Sequence, residues 1–162
     1  MHILTIAQLL VLLMLANGAP VMAKFILRDR FSLPLDGNRK FIDGKPLFGP
    51  TKTMRGIAIA IVVAAAGAPL IGLTLEIGLL VGTTAMVGDL LSSFFKRRMG
   101  LAPSSRATGV DQIPESLLPL LVCRQVLALS AADILIGCGV FVAGEMLLSR
   151  LLFRLRLRER PY

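Results

Sequence analysis

The stretch Arg55–Lys96, RGIAIAIVVAAAGAPLIGLTLEIGLLVGTTAMVGDLLSSFFK, decides the fold. Between its basic ends lie 40 residues whose only charges are Glu76 and Asp89. One crossing of a bilayer's hydrocarbon core takes roughly 20 apolar residues at the rise of a helix. The stretch therefore holds two crossings joined by a tight turn. Gly67, Pro69 and Gly72 interrupt the helical pattern and put that turn within Gly67–Glu76.

The same arithmetic extends outward. Met1–Ala23 has no charged side chain with His2 neutral, which gives one crossing, and the 34 residues between Glu115 and Arg150 carry only Arg124, Asp133 and Glu145. That length gives two more. The chain reads as an all-α, polytopic membrane protein of about five transmembrane helices, near 3–27, 56–73, 77–95, 116–132 and 134–153. It forms a single integral membrane domain over its 162 residues. Composition agrees: 55% of residues are hydrophobic and the mean hydropathy is +0.76, whereas soluble domains have about 45–50% apolar residues with glycine counted. Val21-Met22-Ala23 resembles a signal-peptidase site, but no basic segment precedes the apolar run, so the first helix is expected to be retained. Cys123 and Cys138 both fall in predicted spans and read as small apolar residues.

A net charge of +8 on 162 residues could suggest nucleic acid. The distribution excludes that reading. Of 18 lysines and arginines, 17 fall on one side of a five-span topology, in the segments 24–55, 96–106 and 150–160. Basic residues in short loops mark the cytoplasmic side. The N-terminus is thus expected outside and the C-terminus inside, with cytoplasmic loops 28–55 and 96–115 and a cytoplasmic tail 154–162. The alternation of arginine with leucine or phenylalanine in Arg150–Arg160 suits anionic-lipid attraction and requires no specific ligand.

The first cytoplasmic loop is too long to be a bare connection. It keeps apolar anchors between the turn signals Asp36-Gly37-Asn38, Asp43-Gly44 and Gly49-Pro50, as a loop folded against the membrane surface would. It ends Gly49-Pro50-Thr51-Lys52-Thr53-Met54-Arg55-Gly56, directly before the second span. Glycine admits close backbone approach, and a helix start offers free amides and partial positive charge to a phosphate. The same residues also suit topology-setting charges followed by a helix start, and both readings stand. A Walker-type phosphate loop is excluded, because Pro50 occupies the position that requires lysine.

In the third span, Asp89 lies about two turns before the basic cluster Lys96-Arg97-Arg98, inside the cytoplasmic leaflet. An acid at that depth points to function, although pairing with a nearby arginine also explains it. Asp111 stands at the far end of the second loop. Two carboxylates at one membrane level can hold magnesium, which takes few carboxylates and completes its shell with phosphates and water. Arg124 and Glu145, both expected near mid-bilayer, read as a structural pair.

Asn17-Gly18-Ala19-Pro20, Asp43-Gly44, Gly49–Gly56, Gly88-Asp89, Ser93–Arg98 and Asp111-Gln112 follow one another at membrane boundaries in an order that resembles the CDP-archaeol synthase family, from about Asn17 to Leu118. The resemblance implies an integral-membrane nucleotidyltransferase that uses CTP and Mg2+ to convert a membrane lipid phosphate into a CDP-lipid and pyrophosphate. It implies that Asp89 and Asp111 hold the metal and act with Lys52 in catalysis. It also implies that Asn17, Gly49, Pro50, Thr51, Thr53, Arg55, Ser93, Lys96, Arg97, Arg98 and Gln112 bind the substrates. Two positions depart from the archaeal pattern: Met54 stands where tryptophan is expected, and Ile113-Pro114-Glu115 stands where Leu-Asp-Phe is expected. These departures look like a bacterial branch and bear on the acceptor lipid. The rival reading is a small transporter using Asp89, Arg124 and Glu145 as a polar pathway. Five spans with a long cytoplasmic loop lack the paired halves common in transporters.

Overall fold

The computed structural model describes residues 2–102 and 110–154, without the side chains of 152 and 153. The segments 103–109 and 155–162, which hold Arg106 and most of the basic tail, lie outside the described residues. Among the described residues five helices make up the bundle: α1 (Ile3–Leu27), α2 (Met54–Leu70), α3 (Leu75–Arg98), α4 (Gln112–Cys123) and α5 (Ala131–Arg154). Among the described residues α1, α3 and α5 are long and apolar enough to cross a membrane, while α2 has 17 residues and α4 has 12.

Local chemistry sets the helix ends. Thr53 caps α2 by accepting from the Gly56 amide at 3.1 Å, and Thr74 caps α3 by accepting from Ile77 at 3.3 Å. Between them the chain reverses in four residues, with Gly72 at φ +81°. Ser130 and Asp133 cap α5 reciprocally: the Ser130 hydroxyl accepts from the Asp133 amide at 3.1 Å and donates to the Asp133 carboxylate at 2.8 Å. Asp133, fully buried, also receives the His2 amide at 3.2 Å, so the start of α1 is tied to the α4–α5 turn.

α3 is the central element and packs most extensively against α2 and α4. Small residues allow this. Ala60, Ala64 and Ala68 form a buried stripe on α2, facing Gly78 and Gly82 of α3. A methyl group at Gly78 would stand 2.6 Å from the Ala64 carbonyl oxygen. In lipid the apolar surroundings favour no helix pair over another, so close backbone approach of this kind is what holds helices together. Leu9, Leu12, Leu13 and Ala16 of α1 and Phe141 of α5 complete the core. Leu70, Leu135 and Val62, 86%, 72% and 63% exposed, belong to the lipid-facing surface.

One element differs from the sequence expectation in a way that matters. The fourth span was expected near 116–132, whereas α4 stops at Cys123 and the chain turns through residues 124–130, with Ala128 at φ +52°. Arg124 is therefore an exposed residue at the end of α4 rather than one inside a membrane-spanning helix. Glu145 lies 14 residues into α5, about 21 Å from that helix's start at 1.5 Å per residue. The expected Arg124–Glu145 pair is not formed.

Candidate active site

The first loop is ordered by one buried carboxylate. Asp36 accepts from the amides of Asn38 at 3.0 Å, Phe48 at 3.0 Å and Gly49 at 3.1 Å. Burial pushes its pKa up, but these amides outweigh burial and hold the carboxyl below its ordinary value. Gly49, at φ +101°, makes the turn that brings the chain back. The two legs of the loop then pair: Leu35 donates to the Lys52 carbonyl at 2.8 Å and Met54 to the Leu33 carbonyl at 3.1 Å. Lys52 is carried by this pairing to the flank of α3.

There Lys52 Nζ meets both oxygens of Asp89 at 2.5 Å. Burial disfavours the ammonium, but the Asp89 carboxylate prevails and holds Lys52 above its ordinary pKa. Two turns further along α3, Lys96 Nζ lies 2.7 Å from Asp111 at the start of α4. Between the two pairs, Ser92 donates to the Gly88 carbonyl at 2.8 Å, and Ser93 is 4% exposed. Arg97, also 4% exposed, donates to the Ala102 carbonyl at 3.0 Å and lies within electrostatic reach of Asp111.

A third acid joins this cluster. Glu115, 6% exposed in the first turn of α4, turns its carboxyl into hydrogen-bonding reach of Asp89 and into the field of Lys52. The contact depends on Gly88. A methyl group there would meet the Pro114 carbonyl oxygen at 2.3 Å and the Glu115 Cα at 2.8 Å, so α3 and α4 touch backbone to backbone beside the acids. Sequence reasoning passed over Glu115. The available signal was its place four residues after Asp111, on the same helical face.

The expected site residues thus divide. Lys52, Asp89, Ser93, Lys96, Arg97, Asp111 and Gln112 gather around the α3–α4 contact. Gly49 is buried at the loop turn, Pro50 and Thr51 are exposed beside it, and Thr53 caps α2. Arg55 donates to the carbonyls of Arg28 and Arg30, joining the end of α1 to the start of α2. Arg98 pairs with Asp43 at 3.0 Å. Asn17 lies in a groove between α1 and α5 with Gly18, Glu145 and Ser149, and Glu145 is within electrostatic reach of Glu115 at the α3–α4 contact. Its Nδ2 is buried and has no hydrogen-bond partner among the described residues.

No three histidine, cysteine, aspartate or glutamate side chains converge as a metal-holding group among the described residues. Two carboxylates, Asp89 and Asp111, each stand beside a lysine at the mouth of a basic loop, with Glu115 against Asp89. Such a donor set fits a magnesium ion, which uses one or two carboxylates and draws its remaining oxygens from phosphates and water.

Known proteins match this chain along nearly its whole length. The CarS-like, CDP-archaeol synthase family model matches residues 3–162. The CDP-archaeol synthase of Hyperthermus butylicus is 33% identical, over 91% of this chain and 89% of its own. That of Pyrobaculum calidifontis is 32% identical, over 91% and 90%. A solved intramembrane enzyme of archaeal membrane-lipid biosynthesis shares the fold with a TM-score of 0.70 at 21% identity, covering 85% of this chain and 90% of that one.

Proposed function

The chain belongs to the CDP-archaeol synthase family, and from that premise we propose that its α3–α4 contact is the site of cytidylyl transfer. The protein is an integral-membrane, CTP-dependent nucleotidyltransferase that converts a membrane lipid phosphate to a CDP-lipid; a transporter is not favoured. A lipid phosphate oxygen forms a bond to the α-phosphorus of CTP as the bond from that phosphorus to the bridging oxygen breaks, and pyrophosphate leaves. Such chemistry asks the protein for in-line positioning and for stabilisation of charge on phosphate oxygens.

Lys52, Lys96 and Arg97 are the cations placed to meet the triphosphate, and Gly49 lets the loop backbone approach it. Asp89 and Asp111 would hold Mg2+, which supplies charge neutralisation at the phosphate oxygens. Glu115 keeps the Asp89 side of the site polar against the helix core. The observation that carries this reading is the placement of Lys52–Asp89 and Lys96–Asp111 around one helix contact. We place this side of the bundle at the cytoplasmic face, supported by the basic asymmetry. Labelling of a cysteine at position 160 by an impermeant reagent on intact cells would overturn that placement. The departures at Met54 and Ile113-Pro114-Glu115 support a bacterial inner membrane and leave diacyl and diether lipid phosphates both as acceptors to test.

The test is direct. The purified chain, in lipid nanodiscs with labelled CTP, Mg2+ and a panel of lipid phosphates, should give a labelled CDP-lipid and equimolar pyrophosphate. Absence of both with every acceptor would refute the proposal.

A further inference from the structure

Arg98 closes the basic cluster at the end of α3, where the family resemblance suggests a phosphate ligand. Its described contacts run elsewhere. The guanidinium pairs with Asp43 at 3.0 Å and donates to the Pro46 carbonyl at 2.5 Å. It stacks 4.9 Å from the Phe41 ring centroid and 4.8 Å from that of Phe94. The two rings meet edge to face at 5.3 Å. Lys45 completes the contact from the other direction, donating to the Arg98 carbonyl at 2.8 Å, at the negative end of the α3 dipole.

Every one of these partners except Phe94 belongs to the arm 41–46 of the first loop. That arm leads straight into Phe48 and Gly49, whose amides are held by Asp36, and so to Lys52, whose amide donates to the Gly49 carbonyl at 3.2 Å. A continuous set of contacts therefore runs from Arg98 to the lysine on Asp89. We propose that Arg98 is a positioning residue: a latch that fixes the first loop on the end of α3 and so sets Lys52 for CTP, without itself contacting phosphate. The proposal rests on the cytidylyltransferase reading for its consequence and on the loop contacts for its substance.

The chemistry of the latch separates it from a phosphate contact. A planar guanidinium can lie against two rings while one nitrogen pairs with Asp43 and another donates to Pro46; an ammonium keeps the charge but cannot lie flat on the rings and reach both partners. Arg98→Lys should therefore be nearly as damaging as removal of the side chain, whereas at a simple phosphate contact lysine would serve. An unlatched loop lowers the fraction of protein competent to bind CTP, and apparent affinity falls by that fraction. The chemical step, once CTP has closed the loop, should change little.

The experiment uses the full chain in nanodiscs and reads two quantities. Tryptic cleavage after Arg39 and Lys40, both exposed in the loop, is timed without nucleotide; KM for CTP and kcat are then measured. Phe41→Ala serves as a second variant, since it removes one ring of the stack without touching a charge. Both Arg98→Lys and Phe41→Ala are expected to speed loop cleavage and raise KM by about tenfold, with kcat within about threefold and saturating CTP restoring protection. Wild-type cleavage with a raised KM in Arg98→Lys would put Arg98 on the nucleotide and overturn the latch. Wild-type cleavage and KM in Phe41→Ala would overturn it too. A failure of the cytidylyltransferase reading would show separately, as a wild-type protein without turnover, while the cleavage arm remains readable.

Discussion

Gly88→Ala adds one methyl group where α3 and α4 meet backbone to backbone. The new Cβ would stand 2.3 Å from the Pro114 carbonyl oxygen, 2.5 Å from its carbon and 2.8 Å from the Glu115 Cα. Real Cβ contacts begin near 3.0 Å and become ordinary at 3.4 Å. Since the obstacles are backbone atoms, no side chain can swing aside, and the start of α4 must retreat by about 1 Å. That retreat separates Asp89 on one helix from Asp111 and Glu115 on the other. Overpacking of this kind costs about 1–3 kcal/mol of stability, and a 1 Å misplacement of reacting groups can cost about 100-fold in rate. The matched control is Gly78→Ala, which collides with the Ala64 carbonyl at 2.6 Å and the Ala65 Cα at 2.7 Å, in the first turn of α3 and against α2 instead of α4. Both variants should lower the melting temperature in nanodiscs, but only Gly88→Ala should lower kcat per folded molecule by about 100-fold. If Gly88→Ala turns over within threefold of wild type, or Gly78→Ala loses as much, the α3–α4 contact does not place the catalytic groups.

Asp89→Asn and Asp111→Asn keep size and lose charge, so each should lower CTP-dependent pyrophosphate release by at least about 100-fold with little loss of folded protein; wild-type release by either variant would remove that carboxylate from the site. Asp36→Ala removes the acceptor for three amides and should lower the protection of Phe48 and Gly49 against hydrogen exchange by about 1–3 kcal/mol at neutral pH. In the wild type, a carboxyl depressed by folding stabilises at every pH above its ordinary 3.8 and ceases to do so as pH falls through its lower, folded value. Loop protection should therefore hold down to about pH 4 and fail only below it, and loss near pH 6 would contradict the assignment. Arg124→Leu, at an exposed helix end, should change stability by no more than about 0.5 kcal/mol. Asp133→Ala, which frees His2 and Ser130, should lower the melting temperature while turnover per folded molecule is kept.

Charge spacing made the bundle legible. Uncharged runs ended by lysine and arginine are a direct consequence of the hydrocarbon interior, so α1, α3 and α5 lie close to where the bare sequence puts them. Arg124 defeated the same logic, because a charge in an apolar run reads equally as a buried functional group or as the point where the run ends. Seven residues of turn, 124–130, are apolar enough to pass for helix. In the candidate site, Asp89, Asp111 and Lys52 were legible as polar groups at a membrane boundary, and the fold gathers them around one helix contact. What was not legible is which cation faces which partner. Arg55 and Arg98 look like Lys52 and Lys96 in the chain, and only tertiary contact with loop carbonyls, Asp43 and two rings separates them. Glu115 was hidden for a related reason: its approach to Asp89 depends on a glycine 27 residues earlier.

The brevity of α4 has a consequence for the membrane itself. Its 12 residues span about 18 Å, against a hydrocarbon core of about 30 Å. Ile113, Leu121 and Val122, 48%, 44% and 43% exposed, present that short stretch to lipid. Hydrophobic mismatch of this size is met by thinning the surrounding leaflet, at a fraction of a kcal/mol per ångström. On the side where α4 begins, the headgroup layer should dip toward Asp111 and Glu115, lowering the phosphates of neighbouring lipids to the depth of the carboxylates. Bilayer thickness thereby becomes a kinetic variable: turnover should be faster in nanodiscs of short-chain lipids than of long-chain ones, with CTP affinity unchanged.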